Sequence, residues 1–352
     1  MKILNILPLL FVGPLLFAQA TVLSANGPGD TYELINSVFA PGYDVTEAPD
    51  CAHTNFGRHI EEVWDAELNK YVFKFNIHVA PDNDRCQKFD RQRNEIKTYN
   101  QSPANLIGAY GETVVYKWKF KLDADFQPSK NFTHIHQIKA YGGKYPDIPV
   151  VSFIARSGNP EKFQVMHSDS ITSVDMAHTN LSLFKGIWVE ATETITYATN
   201  GKYNVVFKKV SDNNTLFTYN NEHINMWRPQ ANGIRPKWGI YRSLLNPAML
   251  RDEALLFADF SIEEITGDET AATPASTLKN ETLFFPNPVA ETLHFAKDKW
   301  HLFTVTTLQG KVILEKKDTK TDSLDVSSLA PGTYLLELKS ATGQANAKFI
   351  KK

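Results

Sequence analysis

Three short runs of this 352-residue chain gather polar side chains at alternating positions, the spacing that a β-strand turns into one face. DRQRNEIKTY, residues 90 to 99, places Arg91, Arg93, Glu95 and Lys97 together. Such a face sets guanidinium and ammonium groups beside a carboxylate, so Glu95 can hold the arginine fork while the arginine meets an anionic substrate. HIHQIK, residues 134 to 139, separates His134, His136 and Ile138 from Ile135, Gln137 and Lys139. If the first set faces a site, two histidines two apart can ligate a metal; if the second does, an amide and an amine line it. Periodicity does not choose between them. RPKWGIYRS, residues 235 to 243, sets Lys237, Gly239 and Tyr241 against Trp238, Ile240 and Arg242. A glycine between large polar neighbours leaves room for a ligand to approach the backbone. Each run also has a bland reading: a solvated outer face, hydrogen-bonded core histidines, and an ordinary half-buried tyrosine.

Residues so spaced need strands to carry them, and from Thr21 to about Ile265 the dominant period is two. Tyr71, Phe73, Phe75, Ile77 and Val79 alternate with Val72, Lys74, Asn76 and His78, the pattern of a half-buried strand. In VVYKWKFKL, Tyr116, Trp118, Phe120 and Leu122 point one way and Lys117, Lys119 and Lys121 the other. Runs such as VVSFIAR, GIWVEATETITYA and ALLFADFSIEEI are parted by Gly, Pro, Asn and Asp clusters. No long amphipathic helix is read. The expectation is an all-β chain built on a two-sheet antiparallel sandwich, a jelly roll of concanavalin-like kind, whose concave face commonly forms a groove.

Hydrophobic residues make up 42% of the chain and aromatics 12%, enough for a large core, and the length calls for two or three units. Residues 1–20, MKILNILPLLFVGPLLFAQA, read as a secretory signal peptide: Lys2, an apolar run broken by Pro8 and Pro14, and small residues at Ala18 and Ala20. No later stretch reaches about 18 consecutive apolar residues, so no membrane span is expected. Cys51 and Cys86 are the two cysteines. In an exported chain they are expected to form one structural disulfide, which contributes about 4 kcal/mol on the chain-entropy model. The formal charge of −2 lacks the basic field that nucleic-acid binding displays, so any anionic ligand must be held by a local patch. Residues 266–282 are rich in Thr, Ala, Ser and Asp and read as a linker. Residues 283–352 carry their own strand signals, a small β-sandwich too short to hold a groove.

That tail resembles the C-terminal sorting domain of proteins exported by the type IX secretion system of Bacteroidetes. The resemblance rests on Phe285 to Pro288, the turn Leu308 to Lys311, Leu329 to Leu336 and the terminal Lys348 to Lys352. It implies passage across the outer membrane to the medium or the cell surface, with the secretion machinery as partner and the tail as an address. Three motifs within residues 30–265 resemble those of the jelly-roll alginate lyases. Arg93, Glu95 and Lys97 sit like that family's R-x-E-x-R strand, Gln137 and Lys139 like its Q-I-H, and Lys237, Gly239 and Tyr241 like its K-x-G-x-Y. Lys139 stands where the family has histidine, and Lys97 where it has arginine. The segments TYELINSVFAPGY, DRQRNEIKTY, FTHIHQIKA and RPKWGIYRS look closer to the secreted ulvan lyases of marine flavobacteria.

The resemblance implies an extracellular polysaccharide lyase that cuts beside a uronic acid by β-elimination, with ulvan as the expected polymer. Arg93 and Gln137 then neutralise the uronate carboxylate as C5 loses its proton. Tyr241 hands a proton to the departing C4 oxygen, and Lys139 is the base or steadies the ionised tyrosine. Unperturbed values are about 10.4 for lysine and about 10 for tyrosine, so the site must lower at least one; Arg93 and Lys237 are the cations expected to do it. Glu95, Lys237, Arg242, His134 and His136 are further substrate-binding candidates, and the two histidines are also alternatives for acid and base. Lys117 or Lys119 would extend the basic groove, and Trp227, Trp238 or Tyr241 would pack on sugar rings or belong to the core.

No cofactor is required by this chemistry and no metal ligand is assigned; a cation in such a fold would be a structural Ca2+, and no dense acidic loop calls for one. The chain is expected to act as a monomer. Competing readings are an alginate or glucuronan lyase of the same fold, a glycoside hydrolase and a non-catalytic carbohydrate-binding protein. A hydrolase needs two carboxylates across the scissile bond. Glu190 and Glu193 fall on opposite faces of their strand, and no E-x-D-x-x-E signature is present.

Overall fold

Period-two alternation turns into paired strands wherever one face can be buried. The computed structural model describes residues 20–265 throughout and, beyond them, 284–285, 288–295, 300, 302–307, 312–317, 323–339 and 344–352. The expected signal peptide, apart from Ala20, and the expected linker lie outside these residues. The chain forms two compact units, Met1–Thr270 and Ala271–Lys352. In the first, the strands are β1 (Thr21–Leu23), β2 (Thr46–Glu47), β3 (Ile60–Asp65), β4 (Lys70–Ile77), β5 (Arg91–Lys97), β6 (Thr113–Lys121), β7 (Thr133–Tyr141) and β8 (Val151–Arg156). They continue as β9 (Lys162–His167), β10 (Val174–Asn180), β11 (Trp188–Thr196), β12 (Gly201–Lys209), β13 (Thr215–Ile224), β14 (Gly233–Ser243) and β15 (Glu253–Ile265).

These strands form two antiparallel sheets. One runs β13-β12-β11-β6-β15-β4-β3, with β1 also paired to β15; the other runs β10-β9-β8-β7-β14-β5-β2. The fold class is the all-β jelly roll that the alternation calls for. Its core lies between the sheets, where Tyr116, Trp118 and Phe120 of β6 meet Phe153, Phe163 and Trp238 of the facing sheet. Trp118 stacks on Phe153 at 5.9 Å and meets Trp238 edge-on at 5.9 Å. Burying a side chain of this size stabilises by about 1.5–3 kcal/mol, and several dozen such residues join one cluster.

The opposite face of β6 is polar, as its lysines require. Lys117 and Lys119 lie beside Glu190 at 3.2 and 3.7 Å, and Lys119 also pairs with Asp259 at 2.6 Å. Glu190 and Glu193 take opposite sides of β11: Glu193 is buried and accepts from the Tyr203 hydroxyl at 2.6 Å. One α-helix is described, the nine-residue α1 (Thr31–Phe39). Its buried Tyr32, Ile35 and Phe39 follow helical spacing, and Phe39 stacks on Trp238 at 5.8 Å. Cys51 and Cys86 are joined, with Cα atoms 6.3 Å apart. Their bridge ties the loop after β2 to the loop before β5.

The second unit contains a three-stranded sheet, Phe284–Phe285, Thr292–Phe295 and Ser323–Asp325, and a four-stranded sheet, Val312–Lys317, Leu302–Thr307, Gly332–Lys339 and Gln344–Lys351. Val289, Leu293, Phe303, Val305, Leu336 and Leu338 are buried in its own core.

Candidate active site

All three polar runs become neighbours because β14 pairs with β5 on one side and β7 on the other. Tyr241 lies opposite Arg93 and His134, Lys237 opposite Lys97 and Gln137, and Arg235 opposite Lys139. Trp238, opposite Ile96 and His136, points into the core. The polar face therefore lies on the side of this sheet turned away from the core.

The choice that periodicity leaves open in HIHQIK is settled by a register slip. The ladder shifts between His134 and His136 against β8, and between Trp238 and Tyr241 against β7. Two residues of equal parity thereby part company. His134 lies against the Tyr241 ring, with centroids 5.8 Å apart. His136 is fully buried, its Nε2 2.9 Å from Glu193 and its ring 4.4 Å from Trp118. The two histidines cannot ligate one metal, and His136 is removed from the substrate-binding set.

Gly239 has a different purpose from the one its neighbours suggested. Its φ is +141°, and a Cβ there would stand 2.1 Å from the Asn94 carbonyl oxygen and 2.7 Å from the Glu95 Cα. The space is filled by β5, not kept for a ligand. Gly239→Ala is expected to destabilise the unit by about 2–4 kcal/mol, from left-handed backbone strain and a clash that only backbone movement relieves. Urea unfolding of the variant against the wild type measures it; an unchanged midpoint would contradict the clash.

Beneath the face lies a buried ionic network. Arg93 donates to Asp84 through Nε (2.9 Å) and Nη2 (3.2 Å), and its Nη1 donates to Glu95. Lys237 donates to Glu95 at 2.7 Å and to Glu47. Glu47 also accepts from Lys97 at 2.7 Å and Arg85 at 2.9 Å. Glu95, 0% exposed, also accepts from the Gln137 amide. Burial alone would raise the Glu95 carboxyl, but Lys237 and Arg93 hold it down at about 2. Every charge here has a partner, as burial demands.

The network corrects the part expected of Arg93. Glu95 does hold its fork, but Asp84 holds the other edge, so no bidentate edge is left open for a substrate carboxylate. What Arg93 offers is its flat face, 3.7 Å from the centre of the Tyr241 ring.

Lys139 differs from the other lysines of this face. Its Nζ donates to the Asp147 carbonyl at 3.0 Å, and no carboxylate lies within ion-pair distance of it among the described residues. Burial, then the charges of Lys237, Arg93 and Arg235, push its ammonium down to about 7. Tyr241, 9% exposed, accepts a hydrogen bond from Arg91 Nη1 at 2.9 Å. His134 is driven down to about 3, by burial first and then by Arg93, Lys139 and Arg156 against the pull of Glu95. It is therefore neutral, and its buried Nδ1 has no hydrogen-bond partner.

Three other expectations need correction. Arg242 is fully buried, its Nε donating to Gln92 at 2.8 Å and its Nη1 to the Arg251 carbonyl at 2.9 Å, so it cannot touch substrate. Trp238 belongs to the core. Lys117 and Lys119 lie on the other sheet. In the other direction, Arg235 shares parity with Lys237 and Tyr241 and joins this face opposite Lys139, a position the motifs do not single out. Glu47, Asp84 and Arg85 carried no periodic signal, because loop and edge residues reach the face only through tertiary contact.

Comparison with known proteins places this geometry in context. Residues 69–270 match the family model described as polysaccharide lyase, and residues 283–352 match the model described as secretion system C-terminal sorting domain. No curated protein matches the chain. Among solved structures, an endo-β-1,4-glucuronan lyase from the fungus Trichoderma reesei is 14% identical, covering 58% of this chain and 86% of its own, with a TM-score of 0.42. An alginate lyase from Pseudomonas aeruginosa is 14% identical over 62% of this chain and 97% of its own, at a TM-score of 0.41. An alginate lyase solved with an alginate trisaccharide is 9% identical over 71% of this chain and 100% of its own, at 0.44.

Proposed function

The chain belongs to the polysaccharide lyase family, and from that membership we propose that the face around Lys139 and Tyr241 cleaves a uronate-containing anionic polysaccharide by β-elimination, with ulvan as the substrate. The observation that carries the reading is a lysine without a carboxylate partner, set in a cationic, largely buried face that disfavours its ammonium form. A neutral amine is a base. In the proposed reaction, Lys139 takes the C5 proton of the uronate. The electron pair moves toward the neighbouring carboxylate, whose growing charge is met by the field of Lys237, Arg93 and Arg235 and by the remaining amide hydrogen of Gln137. That pair then forms the C4–C5 double bond as the C4–O bond breaks, and the Tyr241 hydroxyl protonates the departing oxygen.

Sulfate on the polymer gives a reason for further positive charge. Arg235 and Arg156 have no carboxylate partner among the described residues and are half-buried; Arg235 Nη1 donates to the Thr98 carbonyl, and Arg156 donates through Nε to Gln164 and through Nη1 to the Asn131 carbonyl, which leaves each an Nη2 to meet an anion. His134 supplies a second reading of the base: neutral, with an unpartnered Nδ1, and opposite Tyr241. The sorting domain supports export to the medium or the cell surface.

The test is the ultraviolet absorbance of an unsaturated uronate, followed as the purified protein meets ulvan, alginate and glucuronan separately. A rise with ulvan is expected. A rise only with alginate or glucuronan would reassign the substrate, and no rise with any uronate polymer would leave hydrolysis or binding alone.

A further inference from the structure

Away from the strand face, three imidazoles converge on one carboxylate. His53 Nδ1 lies 3.1 Å from Asp82 Oδ1, His59 Nε2 3.2 Å from the same oxygen, and His78 Nδ1 3.0 Å from Oδ2. One ligand atom from each of the four residues falls within 4.8 Å of all the others. The ring centroids of the histidines stand 4.8 to 5.6 Å apart. We propose that His53, His59, His78 and Asp82 form a zinc site that fixes the loop carrying Asp84, and so the ionic network under Tyr241.

The donor set and its surroundings both favour this. Three imidazoles and one carboxylate suit Zn2+, whereas Ca2+ and Mg2+ take oxygen ligands. Zinc–nitrogen bonds of about 2.0–2.1 Å in a tetrahedron set neighbouring ligand atoms about 3.3 Å apart, a spacing that the nitrogen-to-carboxylate distances of 3.1, 3.2 and 3.0 Å already meet; the remaining pairs, all within 4.8 Å, would draw in around the ion. His59 and Asp82 are buried at 0 and 1% exposure, and the Phe56 ring covers His78 and His59 at 4.4 and 4.7 Å. Behind the cluster, His59 Nδ1 is held by Asp50 at 2.8 Å, and Asp50 by the Tyr32 hydroxyl at 2.9 Å. A carboxylate on the far nitrogen is how proteins orient a metal-bound imidazole. Four protein ligands close the coordination shell, which makes this a structural centre with no open position for catalysis.

Its location gives it consequences for the site. The ligands come from the loop after the Cys51 half of the disulfide, from the end of β4 and from the loop that follows, in which Asp82 precedes Asp84 by two residues. Asp84 then accepts from Arg93 and Arg85. Metal and disulfide would restrain the same loop from two sides.

The full-length protein, stripped with a strong chelator, is titrated with ZnCl2 by calorimetry and with CoCl2 by visible absorption. Uptake of one equivalent, with the intense bands of tetrahedral cobalt, is expected. His53→Ala and His78→Ala, at the half-exposed rim, should each weaken zinc by about 100-fold or more, and Asp50→Asn, which keeps all four ligands, by about 10–100-fold. Circular dichroism confirms that each variant is folded; should a ligand variant fail to fold, Asp50→Asn decides. No stoichiometric uptake by the wild type, or undiminished uptake by the folded variants, overturns the proposal.

Discussion

Lys139→Met is expected to lower kcat/KM on the polysaccharide by about 10³-fold or more while leaving thermal unfolding close to wild type, because a general base contributes roughly 10²–10⁴-fold. Methionine keeps the apolar stem of lysine, one atom shorter, and gives up the amine with its hydrogen bond to the Asp147 carbonyl. The sign of the pH dependence follows from the direction of the shift. A lysine pushed down to about 7 is charged below that value and neutral above it, so wild-type kcat/KM should climb as pH rises through about 7 and then level. An ascending limb far below neutrality, with Lys139→Met still active, would transfer the proton abstraction to His134, which is already neutral there. Burial is the first cause of the shift, so a variant that opens the face to water should move the limb upward.

Tyr241→Phe is the second large effect, an expected loss of about 10³-fold in kcat with KM little changed. The phenyl ring retains its place against the Arg93 guanidinium at 3.7 Å and its tilted contact with Phe132 at 5.2 Å, so the fold has little to lose. Only the hydroxyl and its hydrogen bond from Arg91 are removed. If that hydroxyl protonates the departing oxygen, a substrate with a better leaving group should partly restore Tyr241→Phe and do nothing for Lys139→Met. Equal rescue of both variants, or wild-type turnover by Tyr241→Phe, would remove the acid from this position.

How far these residues could be found from sequence depends on how locally each is determined. Parity along β5 and β14 is local, and it correctly placed Arg93, Glu95, Lys97, Lys237 and Tyr241 on one side, with Trp238 and Arg242 on the other. Counting Arg242 toward the substrate goes against that same parity, and Trp238, for which sugar packing and the core are both open, falls to the core. The slip at His134 and His136 was invisible, because a bulge belongs to the pairing of two strands and not to either one. Gly239 was noticed for the right property, its missing Cβ, and given the wrong neighbour. The acids that hold the cations came from further away still: Glu47 from a two-residue edge strand and Asp84 from a loop. The three histidines of the proposed zinc site are split between the loop that precedes β3 and the end of β4, too far apart in sequence to read as one motif. For Lys139 the sequence pointed to Arg93 and Lys237 as the lowering charges; both contribute, but burial outweighs them and Arg235 joins them.

The enclosure of the Glu47, Glu95, Arg93 and Lys237 cluster also bears on how the protein behaves in brine. Dissolved ions screen exposed charges over a Debye length of about 8 Å at physiological ionic strength and about 3 Å at 1 M, but they do not enter a packed interior. The part of the Lys139 shift that buried Lys237 and Arg93 impose is therefore little screened by salt, whereas the grip of half-exposed Arg235 and Arg156 on a polyanion is open to it. Rising salinity should loosen the hold on the polymer well before it disturbs the chemistry.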